Sequence, residues 1–220
     1  FGKLTYETST SPFGEAIAAF QEYIELYPNS PRIEEAYNYL VSAFTELRNY
    51  QAALSALDRI KNRDPRLEAA FQRVAFYRGL ELFNNMQIEQ SIDMFDKSLL
   101  YERHNRELRA RAIYWRAEAE YRIGMFEAAR NDYITFMGIP GAMKLPEASL
   151  LRYNLGYVYY NLKDYNKALT EFRTFESAFA GVKPELQYDT RLRIADCYYI
   201  NTNYNQAISY YDMVISYGKE

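Results

Sequence analysis

The sequence predicts an all-α chain of stacked helix-turn-helix units, and three features of its pattern carry that prediction. An aromatic residue or Ile stands three positions before a small residue at Phe13/Ala16, Tyr50/Ala53, Ile88/Ser91, Phe126/Ala129, Tyr165/Ala168 and Tyr204/Ala207, and the small residues recur 37 to 39 positions apart. Self-similarity at a fixed spacing of this size marks a repeat architecture whose units bury their apolar faces against their neighbours. Four positions past each small residue comes an aromatic residue or Leu, namely Phe20, Leu57, Phe95, Tyr133, Phe172 and Tyr211. Residues three and four apart share one helical face, so these positions form a buried stripe on the second helix of each unit. A first helix precedes it by about 9 to 16 positions, as in Tyr37, Leu40, Val41 and Phe44, or Leu155, Gly156 and Tyr159.

The units follow in order. The first, approximately 1–30, lacks most of its first helix and carries its second-helix stripe on Phe13, Ala16, Phe20 and Tyr23. Pro28 stops that helix, and Asn29-Ser30-Pro31 offers a cap and a first-turn proline for the next. The second unit, 31–65, continues through Tyr50, Ala53, Leu57 and Ile60 to Pro65. The third, 66–104, has Ser98 where the other units have a bulky residue. The fourth, 105–145, carries Phe126, Ala129, Tyr133 and Phe136 and then Ile139–Pro146, the least regular link and the expected hinge or nicking site. The fifth, 146–183, buries Phe172 and Phe175, and Pro184 opens the sixth, 184–220. Five full units and a partial one make a single array over 1–220.

The fifth unit, Tyr153-Asn154-Leu155-Gly156-Tyr157-Val158-Tyr159-Tyr160 followed by Asp164-Tyr165-Asn166-Lys167-Ala168, resembles the tetratricopeptide repeat. In that family the first helix carries a Leu-Gly or Leu-Ala step before a Tyr, and the small residue of the second helix lets the pair approach closely. The resemblance covers essentially the whole chain, with units a few residues longer than the usual repeat of about 34. It implies a right-handed α-α superhelix, a tetratricopeptide solenoid, whose first helices line a concave face. Arg78 and Arg116 depart from the pattern, standing where Leu155 and Ile194 stand in later units. An unpaired buried guanidinium is costly, so either their heads reach Glu81 and Glu120 at helical spacing while the stems pack, or the local register differs by a residue.

The resemblance places groove-facing positions at Asn38, Ser42 and Thr45; Phe76, Leu80 and Phe83; Tyr114, Glu118 and Tyr121; Tyr153, Tyr157 and Tyr160; and Leu192, Asp196 and Tyr199. Arg73, Arg111 and Arg122 stand close by. The partner-binding set expected from this is Phe76, Phe83, Tyr114, Tyr121, Tyr153, Tyr157, Tyr160 and Tyr199 with the three arginines. Any one aromatic residue at helical spacing also reads as core. Leu155, Tyr159, Phe172 and Phe175 already fill the core of the fifth unit, which leaves Tyr153, Tyr157 and Tyr160 for a second face. Tyr offers apolar area, a hydroxyl and few rotors to freeze, and suits extended peptides or sugars. Asn38 and Ser42 occupy positions where the family's carboxylate clamp has Lys and Asn, which argues against a chaperone-tail adaptor.

The stretch Ala16–Pro31 with Glu35-Ala36-Tyr37 is similar to repeats of bacterial envelope proteins, the lipoprotein of the outer-membrane barrel-assembly machine and the periplasmic cell-division coordinator. It implies a periplasmic or outer-membrane-associated location; otherwise the chain is cytoplasmic.

Composition narrows the function classes. The chain is 49% apolar and 25% charged, within the range of folded globular proteins, and its 23 Tyr and 13 Phe exceed what a helical core requires. A net charge of −3 without a long run of one sign argues against a nucleic-acid partner. No stretch approaches the roughly 20 apolar residues of a membrane span. Phe1–Thr10 does not read as a signal peptide, and a start at Phe1 reads as a fragment or processed form. His104, the only histidine, sits in a polar link and is expected exposed; Cys197, the only cysteine, is expected as a small buried filler. There is no glycine-rich phosphate loop, zinc spacing or calcium loop, so no cofactor, metal or enzyme activity is expected. The expected function is a non-enzymatic scaffold that binds a protein or peptide segment in a bacterial envelope assembly. The alternatives are a glycan-binding helical-repeat protein of a nutrient-uptake system, or a self-association face.

Overall fold

The structure, a computed structural model, describes the backbone of residues 12–60, 65–178 and 180–217 and the side chains of 16–60, 65–178 and 180–216. These residues form α1 (Pro12–Leu26), α2 (Ile33–Glu46), α3 (Tyr50–Arg59), α4 (Pro65–Asn84), α5 (Ile88–Leu99), α6 (Arg106–Arg122), α7 (Phe126–Gly138), α8 (Leu151–Asn161), α9 (Tyr165–Glu176), α10 (Pro184–Ile200) and α11 (Tyr204–Tyr217), with no strand among them. Two compact units, Phe1–Ala112 and Ile113–Glu220, divide within α6. No helix of the described residues is long and apolar enough to cross a membrane. The Phe13 side chain and Phe1–Thr10 lie outside the described residues.

The small residues of the repeat are seams. Ala16, Ala53, Ser91, Ala129, Ala168 and Ala207 are all buried to 1% exposure or less. The glycine of the first helix is equally constrained: a Cβ on Gly79 would lie 2.6 Å from the Phe95 ring, and one on Gly156 would lie 2.7 Å from Phe172. Ala117 and Ala195 take the equivalent place in the fourth and sixth repeats and are fully buried.

Each first helix ends in the same turn. Arg48, Met86, Gly124, Lys163 and Thr202 adopt positive φ, between +54° and +81°, five residues before the small residue. The next N–H, of Asn49, Gln87, Met125, Asp164 or Asn203, returns to the carbonyl five residues back at 2.8–2.9 Å, while the positive-φ residue bonds three back. This is the Schellman closure, which satisfies carbonyls a helix end would otherwise orphan and reverses the chain for the second helix. Asn49 and Asp164 add side-chain caps on the N–H groups of Ala52 and Lys167, both at 3.2 Å.

In the first unit the core runs from Ala16 and Phe20 through Ala36, Leu40, Phe44 and Leu57 to Phe71 and Val74. Ser98 is fully buried, where its hydroxyl donates to the Gln72 carbonyl at 2.8 Å, so a hydrogen bond replaces the bulky contact of the other repeats. Gln72, also buried, donates to the Asn105 carbonyl at 2.9 Å. Arg78 does reach Glu81, at 2.6 Å. His104 is not the exposed link residue expected. Its side chain is only 14% exposed and meets the Glu68 carboxylate at 2.7 Å beside Arg103 at 2.6 Å. The Arg103 and His104 hydrogen bonds hold the Glu68 carboxyl below its ordinary pKa. Helix α2 begins at Ile33 rather than at Pro31; the Ser30 hydroxyl bonds the Tyr23 hydroxyl (2.5 Å) and accepts from the Arg32 N–H (3.2 Å) in the turn that leads into it.

In the second unit the core is Tyr133, Phe136, Leu151, Leu155, Val158, Phe172, Phe175 and Ile194, with Cys197 fully buried as a filler. Burial raises the Cys197 thiol to about 12. Arg116 closes a two-pronged bond on Asp132 of α7, at 2.6 and 2.8 Å, a partner that helical spacing does not identify. The link expected to hinge is built from 3-10 turns, Ala142–Lys144 and Pro146–Leu150. Backbone bonds of 3.0 Å join Ala142 to Ile139, Lys144 to Gly141 and Leu145 to Ala142, and Ile139 and Ala142 are buried.

Candidate functional site

The second unit brings the faces of α6, α8 and α10 into one polar and aromatic network. On α8, Leu151, Leu155 and Val158 point into the core, so Tyr153, Tyr157 and Tyr160, four and three residues apart, fall together on the other side. Tyr153 and Tyr157 pack edge to face at 5.1 Å, and both rest on Phe172. Between them and α6 is a pocket of roughly 240 Å³ lined by Glu118, Tyr121, Tyr133, Tyr153, Asn154 and Tyr157. Tyr133 forms its buried floor, and the other five residues are partly exposed.

Each polar group of the network is held. The Tyr133 hydroxyl donates to Glu118 Oε1 at 2.5 Å, and the Asn154 amide donates to the same oxygen and to the Tyr114 hydroxyl at 2.9 Å. Burial raises the Glu118 pKa, against the pull of hydrogen bonds from Tyr133 and Tyr114, the Arg122 charge and Asn154. On the α10 side, Asp189 accepts from Tyr153 at 2.8 Å and from Tyr157. Burial and then the Asp189 carboxylate push Tyr153 up to about 12 and Tyr157 higher still, so both phenols remain donors. Arg193 donates to Tyr157 Oη at 3.2 Å and to Asp196 at 2.7 Å, with Asp189 at 3.7 Å. Its guanidinium lies over the Tyr157 and Tyr160 rings at 5.9 and 5.8 Å. Tyr211 completes the set by donating to Asp196 at 2.8 Å.

The expected partner-binding residues divide accordingly. Tyr121, Tyr153 and Tyr157 come together at the pocket, with Tyr160 beside Arg193. Tyr114 is 4% exposed and serves as a buried support. Phe76 and Phe83, at 0% and 3% exposure, belong to the core of the first unit rather than to an accessible face, and Arg111 covers the Phe76 ring at 5.1 Å. Arg73 and Arg122 are exposed, and Tyr199 is 58% exposed against Tyr204. Sequence reasoning missed Asn154, Asp189 and Arg193 as members of the network. The only signal for the last two was the spacing Asp189, Arg193, Asp196 on one helical face.

A larger hollow of about 340 Å³ lies between α1 and α2, with Phe20, Tyr23 and Tyr39 among its lining residues. Phe20 and Tyr39 stack there at 5.0 Å, while the charged lining residues Glu22, Arg32 and Glu35 are exposed. The smaller pocket, with a half-buried carboxylate inside it, is the better candidate for recognition.

Helix-turn-helix repeats closing on small-residue seams, with a tyrosine-lined face, define a helical-repeat protein. Models of the tetratricopeptide repeat match residues 12–68 and 151–177, so these stretches carry tetratricopeptide repeats. No curated protein matches the sequence. Among solved structures the chain is similar to YrrB, described as a TPR protein with an unusual peptide-binding site, at 17% identity over 90% of this chain and 91% of that one, with a TM-score of 0.58. It is also similar to MamA AMB-1 at 16% identity, covering 84% of this chain and 92% of that one, with a TM-score of 0.59. BtubC from P. vanneervenii aligns at 15% identity over 95% of this chain and 91% of that one, with a TM-score of 0.57. At these identities the likeness concerns the fold.

Proposed function

We propose that the chain is a non-enzymatic interaction scaffold that binds a segment of a partner protein on the tyrosine face of α6, α8 and α10. The observation that carries this reading is the pocket between Tyr121, Tyr153 and Tyr157, whose side chains are partly exposed yet held, Tyr153 by Asp189, Tyr157 by Asp189 and Arg193, and Tyr121 by the Asn161 amide. Rings already locked by packing and hydrogen bonds lose little freedom when a partner docks, so more of the contact energy appears as affinity. YrrB, similar in fold, has a peptide-binding site. A sugar stacks on a flat, open platform, whereas Tyr153 and Tyr157 meet at 68° and form no common plane, which favours a peptide over a glycan. The Ala16–Pro31 stretch supports placement in a bacterial envelope assembly, which fractionation of the source cells tests.

Capture of a partner from a source lysate by the wild-type chain, lost on Tyr121→Ala with Tyr157→Ala while circular dichroism stays helical, is the expected result. Equal capture by the double variant removes the assignment.

A further inference from the structure

The pocket holds one charged group, and the hydrogen bonds on that group all come from neutral donors. Glu118 accepts from two phenols, Tyr133 and Tyr114, and from the Asn154 amide. Arg122, four residues on, also acts on it through charge. The nearby Arg193 is committed to Asp189, Asp196 and the Tyr157 hydroxyl. Glu118, Asp189 and Asp196 thus outnumber Arg122 and Arg193, and the network is short of positive charge. A carboxylate withdrawn from water without a cation hydrogen-bonded to it is costly, and a cation that enters the same low-dielectric space is attracted more strongly than in water. Aromatic rings around the opening add attraction for a cation through their quadrupoles.

We infer that the pocket of Glu118, Tyr121, Tyr153, Asn154 and Tyr157 takes a primary alkylammonium, the side chain of a lysine in the partner segment. This inference rests on the peptide-binding reading above. Three features select lysine. The pocket, roughly 240 Å³, has room for a four-carbon stem with its ammonium head. Glu118 Oε1 already accepts two bonds, so the bidentate fork of an arginine finds no matching pair of free oxygens, while a compact ammonium needs only one. The tyrosine rings provide apolar wall for the methylene stem. The lysine would therefore be the anchor that sets the register of the peptide along α8.

The test uses three capped pentapeptides, Gly-Gly-Xaa-Gly-Gly with Xaa as lysine, norleucine or Nε-acetyl-lysine, titrated into the whole chain by isothermal calorimetry and NMR. The lysine peptide should bind at least about tenfold more tightly than the other two, the scale of one charge-assisted bond with cation–π support. Glu118→Gln, which keeps an acceptor for Tyr133 and Asn154, should abolish that preference, and Tyr121→Leu should reduce it. Equal binding of the three peptides, a lysine preference that survives Glu118→Gln, or no lysine-peptide binding into the millimolar range overturns the inference. The peptide-binding reading falls separately, only if partner capture is indifferent to Tyr121→Ala with Tyr157→Ala.

Discussion

The Phe172 ring occupies the space a side chain on Gly156 would need, since a Cβ built there lies 2.7 Å from the ring carbons. Phe95 stands over Gly79 in the same way at 2.6 Å. Both rings are fully buried, so neither has room to retreat. Ala gains about 1 kcal/mol of helix propensity over Gly, but overpacking a filled core costs about 1–3 kcal/mol. Gly156→Ala and Gly79→Ala should therefore lose about 1–2 kcal/mol in urea denaturation. Gly138→Ala, on a helix with nothing within 4 Å of its Cβ, should be neutral or stabilising. A destabilised Gly138→Ala with a neutral Gly156→Ala would contradict the seam.

The Schellman turns give a prediction of opposite sign. Lys163 and Thr202 hold φ of +62° and +61°, where a side chain is strained and a β-branched one most of all. Glycine removes that strain while adding entropy to the unfolded chain, so the net gain is about 0.5–1 kcal/mol. Thr202→Gly should raise the melting temperature more than Lys163→Gly. Gly124→Ala, at φ +81°, should lower it.

These two features mark how far the sequence was legible. The small-residue seams were visible because a local spacing encodes them, and all six are buried. The Schellman residue was not visible, because Arg, Met, Lys and Thr fill a site where only Gly124 has the expected chemistry. Within the site, Phe76, Tyr114 and Tyr153 occupy one register position, yet the first two are core and the third is partly exposed. Periodicity identifies the face of a helix, but the neighbouring helices determine how much of that face they cover. Asp189 was hidden for a related reason: its bonds to Tyr153 and Tyr157 span more than thirty residues, and no local pattern pairs them.

Arg116 and Asp132 offer a test of a charge where the family buries an aliphatic residue. Their side chains are 24% and 12% exposed and joined by two hydrogen bonds. Removing either partner leaves the other poorly solvated, which in buried pairs costs about 3–5 kcal/mol; with this residual exposure about 2–3 kcal/mol is expected. Arg116→Leu and Asp132→Leu should each show that loss in guanidinium denaturation. The double variant should recover most of it, because two apolar side chains suit the seam as Leu155 does in α8. Additive losses would show that the pair is not coupled.

Glu118 makes stability depend on pH in a direction opposite to that of most carboxylates. Its folded pKa is raised above the ordinary 4.5 by burial, against the opposing hydrogen bonds of Tyr133 and Tyr114. The folded chain therefore keeps this proton at a pH where the unfolded chain has lost it. The stability it contributes is fully present below the unfolded value and is lost as pH rises through the folded one. Glu118→Gln has no such titration but keeps the acceptor. Its stability relative to wild type should accordingly climb with pH above 4.5, read from urea midpoints taken between about pH 4 and pH 7. A lysine peptide should flatten that climb, because a bound ammonium stabilises the charged form of Glu118 in the wild type alone. A difference that is level in pH without peptide would mean that the carboxylate carries no burial cost for a ligand to relieve.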